Sequence, residues 1–197
     1  MFKDPLVRDR INSFALVTYI PEPLAGFLDR LRQELVPNCF LRAHVTILPP
    51  RPLTSSPEEA WRELQKLAPL SAPFEIQASS IEVFPVSDVI YVQVSTGSDE
   101  LKKMHDVMNV AGLSRREAFP YHPHVTLAQD LKPDEVDELV RVARQRWADC
   151  PFPKSFHAEK VVFVQNTRCN EWVDLGECKL GRQESKLVSE LTDLVVG

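Results

Sequence analysis

Residues 41–48 read Leu-Arg-Ala-His-Val-Thr-Ile-Leu, and residues 121–128 read Tyr-His-Pro-His-Val-Thr-Leu-Ala. In both stretches apolar and polar side chains alternate, which is the pattern of a strand with one buried face and one polar face. The polar faces hold Arg42, His44 and Thr46 in the first strand and His122, His124 and Thr126 in the second. The sequence therefore predicts two strands that each present a His-Val-Thr row on an apolar scaffold.

The two strands occupy matching places in an internal repeat. Three pairs of landmarks lie 79 to 81 residues apart, namely Phe84 and Phe163, His44 and His124, and Tyr91 and Trp172. The predicted order strand-helix-strand-helix-strand also occurs twice, over approximate repeats 12–86 and 87–180. A triplet duplicated at the same point of a repeat is hard to explain by accident, so both His-Val-Thr triplets are predicted to be functional.

The mixture of strands and helices predicts an α+β fold. Predicted strands cover 14–20, 41–48, 74–84, 89–94, 121–128, 157–164 and 171–175, and predicted helices cover 24–35, 56 onward, 99–111, 133–147 and 184–196. We expect one bilobal domain over residues 1–197, formed by a duplicated β-α-β-α-β unit. Its two pseudo-symmetric lobes would carry antiparallel-rich sheets around a central cleft. A doubly wound parallel fold ranks second, because no Gly-rich turn follows the first strand.

Charge and cysteine usage restrict the partners. The chain of 197 residues has a formal net charge of −5, and its basic residues are scattered. Proteins that track long nucleic acid usually have a basic face, so we expect at most a grip on an end or a short piece. No signal peptide and no apolar stretch of ~20 residues is predicted. The four cysteines form no Cys-x-x-Cys pair, so we expect them to be reduced thiols in a cytoplasmic protein. We also expect a monomer that has no cofactor, binds no metal and does not contact a membrane.

The residue types of the two rows suit phosphoryl chemistry. Imidazole, with an ordinary pKa near 6.5, can act as acid or base near neutral pH. Cleaving a phosphodiester with water needs one group to deprotonate the nucleophile and another to protonate the leaving oxygen, and His44 and His124 supply one each. A threonine two residues further lies roughly 6–7 Å along the strand, where its hydroxyl can donate to a non-bridging phosphate oxygen. Thr46 and Thr126 are therefore the predicted phosphate anchors.

With these motifs the chain resembles the 2H phosphoesterase superfamily, which is named for its two His-x-Thr-x motifs, and within it the bacterial 2′-5′ RNA ligase-like branch. The matching residues are His44-Val45-Thr46-Ile47 and His124-Val125-Thr126-Leu127. The resemblance implies a bilobal α+β fold with both motifs in a central cleft. It also implies metal-independent hydrolysis of a cyclic phosphodiester, carried by a small nucleotide or an RNA 3′ end with a 2′,3′-cyclic phosphate. By position, the two histidines become the acid–base pair and the two threonines hold the phosphate.

Residues beside the motifs bear on the substrate. Many RNA-processing members of that superfamily carry a basic residue soon after the second motif, whereas this chain has Gln129-Asp130, which leaves room for a small cyclic nucleotide. Arg42 is the candidate for the missing positive charge beside the phosphate, with a solvated surface role as the alternative. His122 is a candidate substrate contact, with a structural role as the alternative.

Other functions remain open at this point. His44, His122 and His124 could form a three-histidine zinc site, because His-x-His is a familiar metal-ligand spacing. That site would lack an acidic partner in register and would leave the duplicated threonines unexplained. A nucleotide-binding module with little catalysis would keep the same cleft, and 2′-5′ RNA ligation would use the same residues in reverse. His105 and His157 lie outside both motifs and are predicted to be structural.

Overall fold

Two four-stranded antiparallel sheets and four helices make up residues 9–181, the part of the chain that the computed structural model describes. The strands are β1 (Arg10–Tyr19), β2 (His44–Arg51), β3 (Phe74–Val83), β4 (Ile90–Val94), β5 (His124–Ala128), β6 (Ser155–Ala158), β7 (Lys160–Thr167) and β8 (Trp172–Lys179). The helices are α1 (Leu24–Leu35), α2 (Pro57–Leu67), α3 (Ser98–Met108) and α4 (Val136–Ala148). The helix predicted over 184–196 lies outside the described residues.

The two sheets draw strands from both repeats. The first sheet has the strand order β2-β1-β7-β8 and the second sheet the order β5-β4-β3-β6, and neighbouring strands are antiparallel throughout. β3 of the first repeat therefore belongs to the second sheet, whereas β7 and β8 of the second repeat belong to the first sheet. This architecture confirms the α+β class with two antiparallel sheets in a two-lobed arrangement.

The single strand predicted over 157–164 is two strands that belong to different sheets. β6 pairs with β3 of the second sheet, β7 pairs with β1 of the first, and Glu159 alone separates them. A local apolar pattern shows that a segment is extended, but the choice of partner depends on contacts that are distant in sequence. The change of sheet at Glu159 is therefore invisible in the sequence.

The motif strands begin later than predicted. β2 and β5 start at His44 and His124 themselves, because their ladder partners end there: His44 lies opposite Tyr19 at the end of β1, and His124 lies opposite Gln93 near the end of β4. β2 also continues through its two prolines to Arg51, which an edge strand tolerates. The loops before the histidines are consequently free to fold back toward the imidazole rings.

Helix positions follow from apolar spacing and from caps. α1 buries one row of leucines, Leu24, Leu28, Leu31 and Leu35. α2 opens with a capping box in which Ser56 and Glu59 each accept the other's backbone N–H, with Pro57 in the first turn. α3 and α4 are shorter than predicted, and Ala111–Leu113 after α3 forms a separate 3-10 turn. No helix in the described part of the chain is both long enough and apolar enough to cross a membrane.

The main core lies between the helices and one face of each sheet. A second, small cluster lies on the opposite face of the first sheet and consists of Ala15, Val17, Val162 and Val164, with Tyr19 and Trp172 packed against it. Thr46 is the ladder partner of Val17, and residues directly opposite in a ladder share a face. The small cluster therefore lies on the same face of the first sheet as His44 and Thr46.

Candidate active site

The two motifs have the same local environment. Residues 41–48 and 121–128 show one identical order of exposure, in which the third, fifth, seventh and eighth positions are buried while the histidine and threonine are half-buried. The buried positions pack into the main core. The histidine and threonine of each strand therefore project on the other side of the strand, away from the main core, as the alternation predicted.

His44 is held by the loop that precedes its strand. Its Nδ1 lies 2.7 Å from the backbone carbonyl oxygen of Arg42, two residues earlier. The Tyr19 ring stands edge-on to the imidazole, with ring centroids 6.4 Å apart. Because Nδ1–H donates to the carbonyl, the neutral ring keeps its lone pair on Nε2.

His124 is held in the same way. Its Nδ1 lies 2.6 Å from the carbonyl oxygen of His122, again two residues earlier. Phe84 and Tyr91 stack on each other at 4.1 Å and present their rings to the imidazole at centroid distances of 5.0 and 5.3 Å. The wall around His124 is therefore aromatic, and Nε2 is again the nitrogen left for chemistry.

A hydrogen bond between the sheets brings the motifs together. Tyr121, three residues before His124 of the second motif, donates its hydroxyl to the carbonyl oxygen of Thr46 in the first motif at 2.7 Å. β2 and β5 also pack against each other, although they belong to different sheets. The two histidines are close enough for the charge of His124 to affect the pKa of His44.

Both imidazoles are shifted toward the neutral form. The pKa of His44 is lowered to about 4, mainly by burial and also by the nearby charges of Arg32, His124 and Arg42, while the hydrogen bond from the ring to the Arg42 carbonyl raises it. Burial also lowers the pKa of His124. A phosphate anion between the rings would offset this by favouring the imidazolium form. Without such an anion, both rings therefore favour the neutral form.

The threonines lie where the sequence predicts them. Thr46 is opposite Val17 in the first sheet and Thr126 is opposite Tyr91 in the second, and both side chains are half-buried. Each shares the face of its own histidine, one strand repeat further along. Their role as phosphate donors stays a prediction.

Arg42 lies close to His44 in the chain, and its guanidinium already contacts Tyr19 and Asp174. Its guanidinium lies 3.7 Å from the centroid of the Tyr19 ring, and Nη1 is 3.3 Å from Oδ2 of Asp174. Tyr19 donates its hydroxyl to Oδ1 of the same carboxylate at 2.6 Å, which with burial raises the pKa of Tyr19. Arg42 is 63% exposed, so it can still turn toward a ligand. Sequence reasoning missed Tyr19 and Asp174, because the three residues meet only through the pairing of β2, β1, β7 and β8.

His122 is the exposed member of the aromatic group around His124. Its ring centroid lies 5.3 Å from that of Phe84, 5.5 Å from that of Tyr91 and 6.1 Å from that of His124. Burial is the largest influence that lowers its pKa, so it adds little positive charge at neutral pH. The structure places His122 on the exposed side of this aromatic group, and its contact with substrate stays a prediction.

His105 packs against the ring of Tyr121, whose hydroxyl makes the hydrogen bond between the sheets. Its buried ring stacks on the Tyr121 ring at 4.4 Å and an angle of 9°, and Nε2 lies 3.2 Å from Oε1 of Glu117. The same carboxylate pairs with the buried guanidinium of Arg51, which also binds Asn109 Oδ1 at 2.7 Å. A tyrosine expected on the inward face of a motif strand needs a partner for its hydroxyl, and that was the one sequence signal for this network. His157, in contrast, is exposed on β6 opposite Glu75.

The described residues contain no ready-made metal site. Over residues 9–181, no group of three or more His, Cys, Asp or Glu side chains is arranged to hold a metal ion. Each of the two motif histidine rings faces aromatic side chains. The three-histidine cluster considered from the sequence is therefore not formed by these residues.

Two lobes that bring paired His-x-Thr strands to one cleft define a class of protein, the phosphoesterases with two such motifs. The family model described as 2′-5′ RNA ligase superfamily matches residues 20–168, and the chain belongs to this superfamily of 2H phosphoesterases.

Relatives and solved structures agree with this assignment. A protein of Oceanobacillus iheyensis, provisionally named a phosphoesterase, is 32% identical over 83 residues, which cover 42% of this chain and about half, 48%, of that protein. One of Halalkalibacterium halodurans with the same kind of name is 21% identical over 182 residues, covering 87% of this chain and 99% of its own. The apo structure of Escherichia coli LigT has a TM-score of 0.60 at 15% identity, covering 88% of this chain and 99% of LigT. At that identity the likeness to LigT shows the fold.

Proposed function

We propose that the chain is a metal-independent phosphoesterase that hydrolyses cyclic phosphodiesters, namely a nucleoside or RNA-terminal 2′,3′-cyclic phosphate, by general acid–base catalysis. The observation that carries the proposal is the matched anchoring of His44 and His124. Each ring binds the carbonyl two residues before it through Nδ1, which leaves Nε2 for proton transfer on its own side of a shared cleft. Two such rings supply both proton transfers that hydrolysis requires.

The reaction divides between the two rings. One neutral imidazole takes a proton from water at Nε2 while the water oxygen bonds to phosphorus. As the bond from phosphorus to the ribose oxygen breaks, the other ring, in its imidazolium form, gives its Nε2 proton to the departing oxygen. The product is a phosphomonoester beside a free ribose hydroxyl, and solvent returns both rings to their starting states.

The remaining cleft residues hold the substrate in this proposal. The Thr46 and Thr126 hydroxyls donate to non-bridging phosphate oxygens, where pre-placed donors stabilise the charge that develops in the transition state. Arg42 supplies positive charge beside His44, and His122 contacts the substrate at the rim. Solved structures of LigT include a complex with 3′-AMP, which supports a nucleotide phosphate as the ligand of this fold.

Further features of the proposal concern context and direction. The net charge of −5 supports a small nucleotide or an RNA 3′ end as partner rather than extended nucleic acid. The four cysteines are unpaired thiols, which supports a cytoplasmic location, and we propose a monomer. Because the same residues serve the reverse reaction, 2′-5′ RNA ligation is the second candidate function, favoured by the family match.

The proposal is tested by hydrolysis of a panel of nucleoside 2′,3′-cyclic phosphates in excess EDTA. We expect turnover by the wild type and a loss of about 10²-fold or more in His44→Ala and in His124→Ala. His157→Ala is the matched control, because it removes an exposed histidine far from both motifs. Turnover abolished by EDTA and restored by zinc would favour a metal site instead. Nucleotide binding without any turnover would favour a binding module.

A further inference from the structure

The half-site of His44 contains a carboxylate. Asp174 lies opposite Val164 on the edge strand β8. Val164 belongs to the small cluster on the face of the first sheet that carries His44 and Thr46, and residues directly opposite in a ladder share a face. The Asp174 carboxylate therefore stands on the same side of the sheet as the His-Val-Thr row that holds the phosphate in the proposed reaction.

Two side chains hold the Asp174 carboxylate in different ways. Tyr19 donates its hydroxyl to Oδ1 at 2.6 Å, and the Tyr19 ring stands edge-on to His44 with ring centroids 6.4 Å apart. Nη1 of Arg42 lies 3.3 Å from Oδ2, in an ion pair whose side chains are 63% and 45% exposed. Exposed ion pairs contribute little to stability. Arg42 can therefore leave Asp174 for a phosphate at small cost, while Tyr19 still holds the carboxylate.

The backbone of Arg42 is fixed although its side chain is exposed. Arg32 of α1 is only 3% exposed, and its Nη1 donates to the carbonyl oxygens of Leu41 at 3.2 Å and Arg42 at 3.3 Å. The Arg42 carbonyl also accepts Nδ1–H of His44 at 2.7 Å. A guanidinium stays protonated in proteins, so both arginines attract an anion to this half-site. The negative charge of Asp174 opposes that attraction.

The half-site of His124 is built from aromatic side chains instead. Its ring faces Phe84 and Tyr91 at centroid distances of 5.0 and 5.3 Å and His122 at 6.1 Å. Over residues 9–181, neither His122 nor His124 forms an ion pair with a carboxylate. The charges that could distinguish one kind of phosphate from another are therefore concentrated in the half-site of His44.

Substrate and product of the proposed reaction differ in charge. A cyclic phosphodiester carries one negative charge, whereas a phosphomonoester carries about −1.5 to −2 at pH 7, because its second pKa is about 6. A fixed carboxylate near the phosphate therefore repels the product more strongly than the substrate. One unit charge about 10 Å from another changes binding about 2- to 5-fold at effective dielectric constants of about 40–80.

We propose that Asp174 is a specificity-determining residue, which makes the cleft select the monoanionic cyclic phosphodiester over the dianionic phosphomonoester that hydrolysis forms. This inference rests on the proposed function and deepens it. Before substrate binds, Asp174 is paired with Arg42. When the substrate phosphate takes Arg42, Tyr19 keeps Asp174 in place as a negative charge without its cation. The second charge that the product gains on hydrolysis then favours its release.

The proposal is tested with Asp174→Asn, which removes the charge but keeps an oxygen that accepts the Tyr19 hydroxyl. Inhibition constants of nucleoside 2′- and 3′-monophosphates are measured against cyclic phosphate hydrolysis at pH 5, where these products are mostly monoanions, and at pH 8, where they are dianions. We expect the ratio of the wild-type constant to the variant constant to be about 2- to 5-fold larger at pH 8 than at pH 5.

Titration of the protein itself is controlled with a second inhibitor. The titratable groups near Arg42 and Asp174 are His44, His124, Tyr19, Asp29 and Cys39, and Asp174→Asn retains all of them. The methyl ester of the same nucleoside monophosphate is a phosphodiester and stays a monoanion at both pH values. Its ratio of wild-type to variant constants should therefore be the same at pH 5 and pH 8.

Two further variants separate the charge of Asp174 from other effects. Glu75→Gln removes an exposed carboxylate opposite His157 on β3, so its ratio should not depend on pH. In an Arg42→Gln background the pH-dependent effect of Asp174→Asn should persist, because the repulsion does not require Arg42. The proposal would be overturned by a ratio that is the same at both pH values, by an equal change in Glu75→Gln or with the methyl ester, or by loss of the effect in the Arg42→Gln background. A wild-type protein that hydrolyses no cyclic phosphate would overturn the proposed function itself.

Discussion

The hydrogen bond from Tyr121 to Thr46 is expected to couple the two halves of the active site, and Tyr121→Phe removes it with almost no change in shape. The hydroxyl oxygen lies 2.7 Å from the Thr46 carbonyl oxygen, and burial, the largest influence, raises the pKa of Tyr121. A net hydrogen bond contributes about 1 kcal/mol, and a partly buried carbonyl left without its donor adds to the loss. We expect the free energy of unfolding to fall by about 1–2 kcal/mol, which lowers Tm by about 2–8 °C for a chain of this length.

The same substitution should impair catalysis more than substrate binding. Tyr121 lies one residue before His122, whose carbonyl anchors His124, and the partner of Tyr121 belongs to the strand of His44. Loss of the bond lets one His-Val-Thr row shift against the other, and a displacement of about 1 Å can cost about 10²-fold in rate. We expect kcat to fall about 10- to 100-fold with KM changed less than about threefold, because the phosphate donors remain.

The assay is hydrolysis of a nucleoside 2′,3′-cyclic phosphate, combined with thermal unfolding. Tyr91→Phe is the control for stability, because among the described residues the Tyr91 hydroxyl has no hydrogen-bond partner, so its removal should leave Tm nearly unchanged. A Tyr121→Phe variant with wild-type kcat would refute the coupling argument, whatever its Tm. Equal losses of Tm in both variants would show that the Tyr121 bond contributes nothing to stability.

Three further predictions follow from the site. The kcat/KM profile should be bell-shaped with its maximum below pH 6.5, because the active form carries one proton and the pKa values of His44 and His124 are both lowered; a maximum above pH 7 would contradict this. Thr46→Val and Thr126→Val should each lower kcat by about 10²–10³-fold with Tm little changed, since each removes one donor to the phosphate; an unaltered rate in initial-velocity assays would exclude that threonine. The pKa of His44 is about 4 in the folded state, below its unfolded value near 6.5. The free energy of unfolding is therefore unaffected by this ring above about pH 6.5, and it falls as the pH falls toward 4, because the unfolded state binds the proton more tightly. Between pH 7 and pH 4, the free energy of unfolding measured in urea should therefore fall by about 1–3 kcal/mol more in wild type than in His44→Gln. Equal falls in the two proteins would show that His44 is not buried in its neutral form.

Much of the site could be predicted because its signal is local. Alternation along residues 41–48 and 121–128 separates core from cleft within each strand, and the structure reproduces this separation position by position. The repeat indicated that the two strands are equivalent, and the structure places them side by side. The anchoring of each imidazole to the carbonyl two residues earlier is also local, although the sequence alone did not reveal it.

The missed features all depend on segments far apart in the chain. Asp174 reaches Tyr19 and Arg42 because β8 lies across the sheet from β1 and β2, at separations of 155 and 132 residues. The placement of β3 in the second sheet and of β7 in the first could not be predicted either, because the sequence pattern of a strand does not indicate which strand it pairs with. Arg32 could not be recognised either, since a single arginine in an amphipathic helix usually faces solvent.

The sequence by itself therefore determined the fold class and the side of each strand on which the His-Val-Thr rows stand, because strand alternation and helix spacing act over a few neighbouring residues. Tertiary structure alone decided how unlike the two half-sites are. It placed a buried guanidinium behind His44 and an aromatic wall around His124. Burial and the distance between charges set the proton affinity of each imidazole, and neither quantity exists until the chain has folded.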